Sequence, residues 1–305
     1  MTTPEVALPH RITLLDGSMG QELINRGAGD NGLLWAAGAL FDAPGTVRDI
    51  HADYISAGAD IITTNSYSTI RYKFEAAGLM DRFREMNRLA GQLAVEARAR
   101  CGRPVLIAGS LPPQRGSYRP DLVGAFDEIE PLYREQAELL APYVDFFICE
   151  TMSTATEARA AAIGALATGK PVWVSWTLQD HPKEQGGPLL RSGENIDRAY
   201  AELQDLGVSA LLVNCSMPEA ITAAIPHLVS LSDVPVGAYA NGFTAIPEKW
   251  DFGGNQTLPP ARTDMGPKAY ALHAASWIDS GARIIGGCCE VGPAHIKALD
   301  QLIKS

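Results

Sequence analysis

Two cysteines stand side by side in the stretch GGCCEVGP (286–293), directly after two glycines. Thiols serve as nucleophiles, redox groups or soft metal ligands, and Cys288 and Cys289 pose a choice among those chemistries. Neighbouring side chains on an extended strand point to opposite faces, so both reach one point only where a strand ends and the chain turns. Gly286 and Gly287 give the backbone room for such a turn and let a ligand come close. A third thiol, Cys215 in VNCS (213–216), closes another apolar run of the same kind. Three thiolates converging on one ion, with a fourth position open, describe a catalytic zinc site rather than a structural one. Two other readings compete. A vicinal disulfide would be a strained ring in a compartment read as reducing. A structural zinc would want a fourth ligand close in sequence, and CxxC spacing is absent. Cys149 and Cys101 read as a buried and an incidental thiol.

The elements that must position these groups are legible as an alternation. Eight short, nearly continuous apolar runs occupy 11–16, 60–65, 104–109, 144–150, 171–176, 209–215, 234–240 and 282–288. Such runs are expected of strands buried on both faces of a parallel sheet. Amphipathic segments follow each of them, at 45–58, 81–101, 127–142, 154–168, 194–206, 218–231, 266–280 and 294–304. Eight strands and eight helices in strict alternation predict an α/β fold, a single (β/α)8 TIM barrel spanning 1–305 as one domain. No GxGxxG follows the first strand, which removes the usual dinucleotide signal of the rival open sheet.

A barrel carries its active site at the carboxyl ends of its strands. The residues standing there are Asp16 with Gly17, Asn65 with Tyr67, Ser110, Glu150, Cys215, Asn241 and the Cys288–Cys289 pair. Each has a plainer reading. Asp16 could N-cap the next helix, and Glu150 could pair with an arginine. No strand ends in lysine, against an aldolase-type barrel. The histidines receive no role, His51 and His273 reading as surface or packing residues. Long loops at 111–125, 178–193 and 241–265 are rich in Gly, Pro and polar residues, as covers for a substrate would be.

A formal charge of −10 argues against nucleic acid or an anionic membrane surface as a partner. No stretch approaches the length of a membrane span, and no secretory leader pattern opens the chain. A cytoplasmic protein with reduced thiols is the expectation.

The motifs LLDGSMGQEL (14–23), GADIITTNSY (58–67), ETM (150–152), VNCS, YANG (239–242) and GGCCEVGPAHI (286–296) resemble those of the homocysteine S-methyltransferases, over nearly the whole chain. The resemblance implies that Cys215, Cys288 and Cys289 hold Zn2+, with Asn241 a fourth ligand before substrate arrives. It implies that Asp16, Gly17 and Glu150 hold the amino-acid end of homocysteine. The implied reaction is methyl transfer to the homocysteine sulfur, giving methionine, with a small-molecule donor. Relatives use S-methylmethionine or S-adenosylmethionine, betaine, or methyl-folate through cobalamin. The chain ends straight after the eighth helix, and no folate or cobalamin module is expected. S-methylmethionine is the expected donor, and Trp35, Tyr118 and Trp176 are candidate aromatic walls for its cation. Glu290 stands where many relatives have a smaller residue, facing solvent or drawing a cationic donor. The alternatives are another donor, another thiol or a selenol as acceptor on the same metal, and a non-catalytic zinc-binding barrel.

Overall fold

The computed structural model describes residues 11–29, 32–181, 187–247, 250 and 258–304. Parts of two predicted covering loops, 182–186, 248–249 and 251–257, lie outside the described residues, as do 1–10 and 305 of the predicted domain. Eight parallel strands form the sheet: β1 Thr13–Leu14, β2 Ile61–Thr63, β3 Leu106–Leu111, β4 Phe146–Met152, β5 Val172–Trp176, β6 Ala210–Asn214, β7 Val236–Tyr239 and β8 Ile284–Ile285. Their order is β1-β8-β7-β6-β5-β4-β3-β2. A parallel bridge between Leu15 and Ile61, with the Asp60 N–H donating to the Leu14 carbonyl at 2.8 Å, brings the first two strands together. The protein is a single (β/α)8 barrel.

Every strand lies inside one of the eight apolar runs or overlaps it, and a long helix follows each one except β5. There the predicted helix 194–206 shrinks to Ile196–Ala201, and the chain continues in tight turns closed by Leu203 N–H to Tyr200 O and Leu206 N–H to Leu203 O. The helix weighed after Asp16 runs over Met19–Asn25, and helices at Ala39–Asp42 and Arg71–Ala76 lie outside the predicted segments. Each spans less than about two turns, too few to display a 3.6-residue period.

Strand alternation sorts the side chains into two cores. Leu15, Ile61, Ala108, Phe146, Ile148, Trp173, Ala210, Leu212 and Ile284 fill the barrel interior. Their strand neighbours Leu14, Ile62, Ile107, Phe147, Cys149, Val174, Leu211, Val213 and Ile285 face the helices. Burying such a side chain contributes about 1.5–3 kcal/mol. Two residues beyond the last inward apolar side chain, the same alternation turns Thr63, Ser110, Glu150 and Asn214 towards the barrel axis. It also sends Cys149 outward into packing, as its sequence context indicated. Among the described residues no helix is long and apolar enough to cross a membrane.

Candidate metal centre and substrate cavity

Cys215 follows β6 with φ at +48°, a left-handed conformation uncommon for a residue with a side chain. Its N–H donates to the Tyr239 carbonyl at 3.1 Å, and the Cys288 N–H donates to the Ala240 carbonyl at 2.9 Å. Both cysteines are thus fastened to the end of β7 by backbone bonds. Gly286 and Gly287 matter for close approach and not for a positive φ. A Cβ on Gly286 would lie 2.5 Å from Leu15 Cβ, and one on Gly287 would lie 2.0 Å from Val291 Cγ1. The left-handed residue of this turn is Glu290, at φ +64°.

The Sγ atoms of Cys215, Cys288 and Cys289 all lie within 4.8 Å of one another. Cys215 Sγ is 3.8 Å from Cys289 Sγ and is bonded to Cys288 Sγ. The weighed disulfide between chain neighbours is therefore absent, and the bond joins thiols of two strands. The free cysteines are Cys101, Cys149 and Cys289. Burial, with Glu290 adding to it, pushes the Cys289 thiol up to about 12. A buried thiol of this kind becomes an anion only beside a cation or metal.

The sulfurs form one side of a cavity at the carboxyl ends of the strands, whose walls include Asp16, Gly17, Trp35, Tyr67, Tyr118, Glu150 and Tyr239. Asp16 is not a helix cap. Ser18 caps Met19–Asn25 by accepting from the Gln21 N–H, while the Asp16 carboxylate accepts from the Thr63 N–H at 2.7 Å and its hydroxyl at 2.9 Å. Glu150 does not pair with an arginine either: it accepts from the Ser110 and Tyr239 hydroxyls. It sits at a bulge in the β4–β5 pairing, where Thr151 takes φ +63°. Asn214 locks that bulge, accepting from the Thr151 N–H and donating to its hydroxyl, both at 2.9 Å. Burial raises Asp16 and Glu150 to about 7 each, against the hydrogen bonds that lower them. Two buried carboxyls with raised pKa values in one cavity are disposed to take up a cation, which would offset their desolvation.

Gly17 is needed for space, since a Cβ there would lie 2.1 Å from the Val291 carbonyl oxygen. Asn241 lies between the cysteine segments: its N–H donates to the Ser216 carbonyl at 3.1 Å, and its Oδ1 accepts from the Phe243 N–H at 3.2 Å. Its Nδ2 is buried without a partner. Trp35 and Tyr118 line the cavity; Trp176 does not. Glu290 accepts from the Gln21 side chain instead of lying free in solvent. His51 is fully buried on the Pro44–Ala57 helix, where burial lowers its ring to about 3 and keeps it neutral. Sequence reasoning missed the partners of the site. Thr63 and Tyr239 lie inside the GADIITTNSY and YANG motifs, but nothing local shows that they face Asp16 and Glu150. Asp180 and Arg191 lie in the loop after β5, among many polar residues.

Residues 13–303 match the family model described as homocysteine S-methyltransferase. The chain belongs to the homocysteine S-methyltransferase family. Members similar to it include the homocysteine S-methyltransferase of Escherichia coli (strain K12), 32% identical, with 94% of each chain covered. The selenocysteine Se-methyltransferase of Brassica oleracea var. italica is 28% identical, with 96% of this chain and 89% of that one covered. The crystal structure of the homocysteine methyltransferase MmuM from Escherichia coli in its metallated form superposes with a TM-score of 0.78 at 30% identity, covering 96% of each chain. The oxidised form of the same enzyme gives 0.80 at 30% identity, covering 98% and 99%. Membership makes this chain a methyltransferase, with homocysteine and a methyl donor as the family's substrates. A family relative carries metal, and this chain has a cluster of cysteines suited to one.

Proposed function

We propose that the barrel is a homocysteine-binding domain that transfers a methyl group from a sulfonium donor, S-methylmethionine by preference, to homocysteine, with zinc held by Cys215, Cys288 and Cys289 in their reduced state. The observation that carries this reading is the placement of three sulfurs within 4.8 Å of one another on the same cavity as two buried carboxyls. Sulfur donors suit zinc over magnesium or calcium, and three protein ligands leave a position for substrate. Asn241, adjoining both cysteine segments, is the proposed fourth ligand when substrate is absent. Bound there, zinc supplies a Lewis acid that keeps a thiol in its thiolate form at neutral pH.

The remaining work falls to the chain. Asp16 and Glu150 take the ammonium of homocysteine, and the Gly17 N–H takes its carboxylate. A sulfonium donor loses its methyl group to the homocysteine sulfur and departs as a neutral thioether, so no acid is required of the protein. Catalysis then rests on positioning the two sulfurs in line with the methyl carbon. The aromatic wall of Trp35, Tyr67 and Tyr118 suits a cation. The same proposal includes a cytoplasmic setting, where Cys215 and Cys288 would be kept as thiols.

The test is zinc content together with methionine formation from homocysteine, with S-methylmethionine, S-adenosylmethionine and betaine supplied in parallel after reduction. One zinc per chain and turnover from S-methylmethionine, both lost in Cys288→Ala, is the expected result. Turnover from betaine alone replaces the donor. Reduced protein that takes up no zinc overturns the metal.

A further inference from the structure

We infer that Tyr118 is a positioning residue of the sulfur centre: its hydroxyl donates to the Cys215 sulfur and draws off part of the negative charge that three thiolates accumulate around a metal. The inference rests on the metal reading above. The Tyr118 hydroxyl lies 2.9 Å from Cys215 Sγ, on a side chain only 3% exposed. The backbone around it is unusual, since Tyr118 takes φ +63°. A bulky residue holds that conformation only where its surroundings impose it.

Those surroundings are a second buried pair. The Arg191 guanidinium stands over the Tyr118 ring, 5.1 Å from its centroid. Arg191 is itself held by Asp180 at 3.2 Å, with side chains 11% and 3% exposed. Asp180 also accepts from the Met217 N–H, two residues beyond Cys215, and from the Ile246 N–H, each at 2.9 Å. One carboxylate therefore ties the segment carrying Cys215 to the arginine that seats Tyr118. A cation over the ring draws electron density from the phenol and makes its O–H a better donor. Sulfur accepts weakly as a thiol and more strongly as a thiolate, because bonds to charged acceptors are the strong ones. The contact thus gains strength in the metal-binding state. Partners that hold the ligands of a metal typically change its affinity 10–100-fold when removed. The plainer reading, a tyrosine that merely packs, predicts no change when its oxygen alone is lost.

The test is cobalt(II) titration of the reduced full-length chain against a competing chelator, followed through the sulfur-to-cobalt charge-transfer band. Tyr118→Phe removes one oxygen and keeps the ring under Arg191. It is expected to bind cobalt about 10–100-fold more weakly, with the band moved to longer wavelength because the sulfur has lost its donor. Arg191→Met removes no atom from the sulfur contact and is expected to shift both readouts in the same direction by less. Affinity within about twofold of wild type and an unmoved band in both variants overturn the inference while leaving the metal reading intact. Wild-type protein that takes up no cobalt after reduction overturns the metal reading, and this inference with it.

Discussion

Thr63 grips both carboxylate oxygens of Asp16, its N–H on Oδ2 at 2.7 Å and its hydroxyl on Oδ1 at 2.9 Å. The contact joins the end of β1 to the end of β2 and aims the carboxylate into the cavity. Each oxygen keeps a second lone pair, available to a ligand.

Asp16→Asn and Glu150→Gln are expected to weaken binding of methionine, the product, by about 10–150-fold each. This corresponds to losing one charge-assisted hydrogen bond of about 1.5–3 kcal/mol. Isothermal titration of the reduced, metal-loaded protein measures it, with circular dichroism as a check on folding. Unchanged affinity in both variants would remove the carboxyls from the amino-acid site.

The same carboxyls predict a pH dependence whose sign is set by their raised pKa values. Both stand near 7 in the folded protein, against 3.8 and 4.5 ordinarily. Folding therefore takes up protons between about pH 4 and 7. Stability of the ligand-free protein from these groups is full below pH 4 and is lost as pH rises through 7. Urea unfolding at pH 5 and pH 8 should show that fall, and Asp16→Asn should flatten it. Methionine binding runs the other way, tightening as pH rises from 6 to 8 because an ammonium needs ionised carboxylates. Methionine has no side chain that titrates there, so a flat profile would contradict the assignment.

The Cys215–Cys288 bond predicts a thiol count. Denatured without reductant, the oxidised protein should show three reactive thiols, and after reduction all five cysteines should react. Zinc uptake should follow the reduced state only. Cys289→Ser should keep the bond yet lose tight zinc binding after reduction. Equal uptake before and after reduction would place the metal elsewhere.

Gly17→Ala tests the close approach of two loops. Its new Cβ would sit 2.1 Å from the Val291 carbonyl oxygen, a backbone atom of the Cys288–Cys289 turn. Overpacking of this kind costs about 1–3 kcal/mol. A lowered melting temperature should accompany loss of methionine affinity. A variant that melts and binds like wild type would show that the loops can part without cost.

The barrel was readable because its signal is local. Continuous apolar runs report burial on both faces, and the residue ending each run stands at the barrel mouth whatever the remaining geometry. That logic puts Asp16, Glu150, Cys215, Cys288 and Cys289 at one end of the barrel, where the structure lines one cavity with them. It gave no access to short helices such as Ala39–Asp42, whose four residues are fewer than a period needs. It marked Gly286 and Gly287 as room for the turn, but only the structure shows that Leu15 and Val291 are what crowd them.

What the sequence determined by itself was the fold and the chemical types gathered at one end of it, through strand periodicity and the order of the motifs. Only the tertiary structure decided which groups face one another. Thr63 meets Asp16 across 47 residues, Cys288 meets Cys215 across 73, and Tyr118 meets Cys215 across 97. Those distances along the chain are closed by the barrel, and the partners they produce are set by strand register and loop packing, which no local spacing encodes.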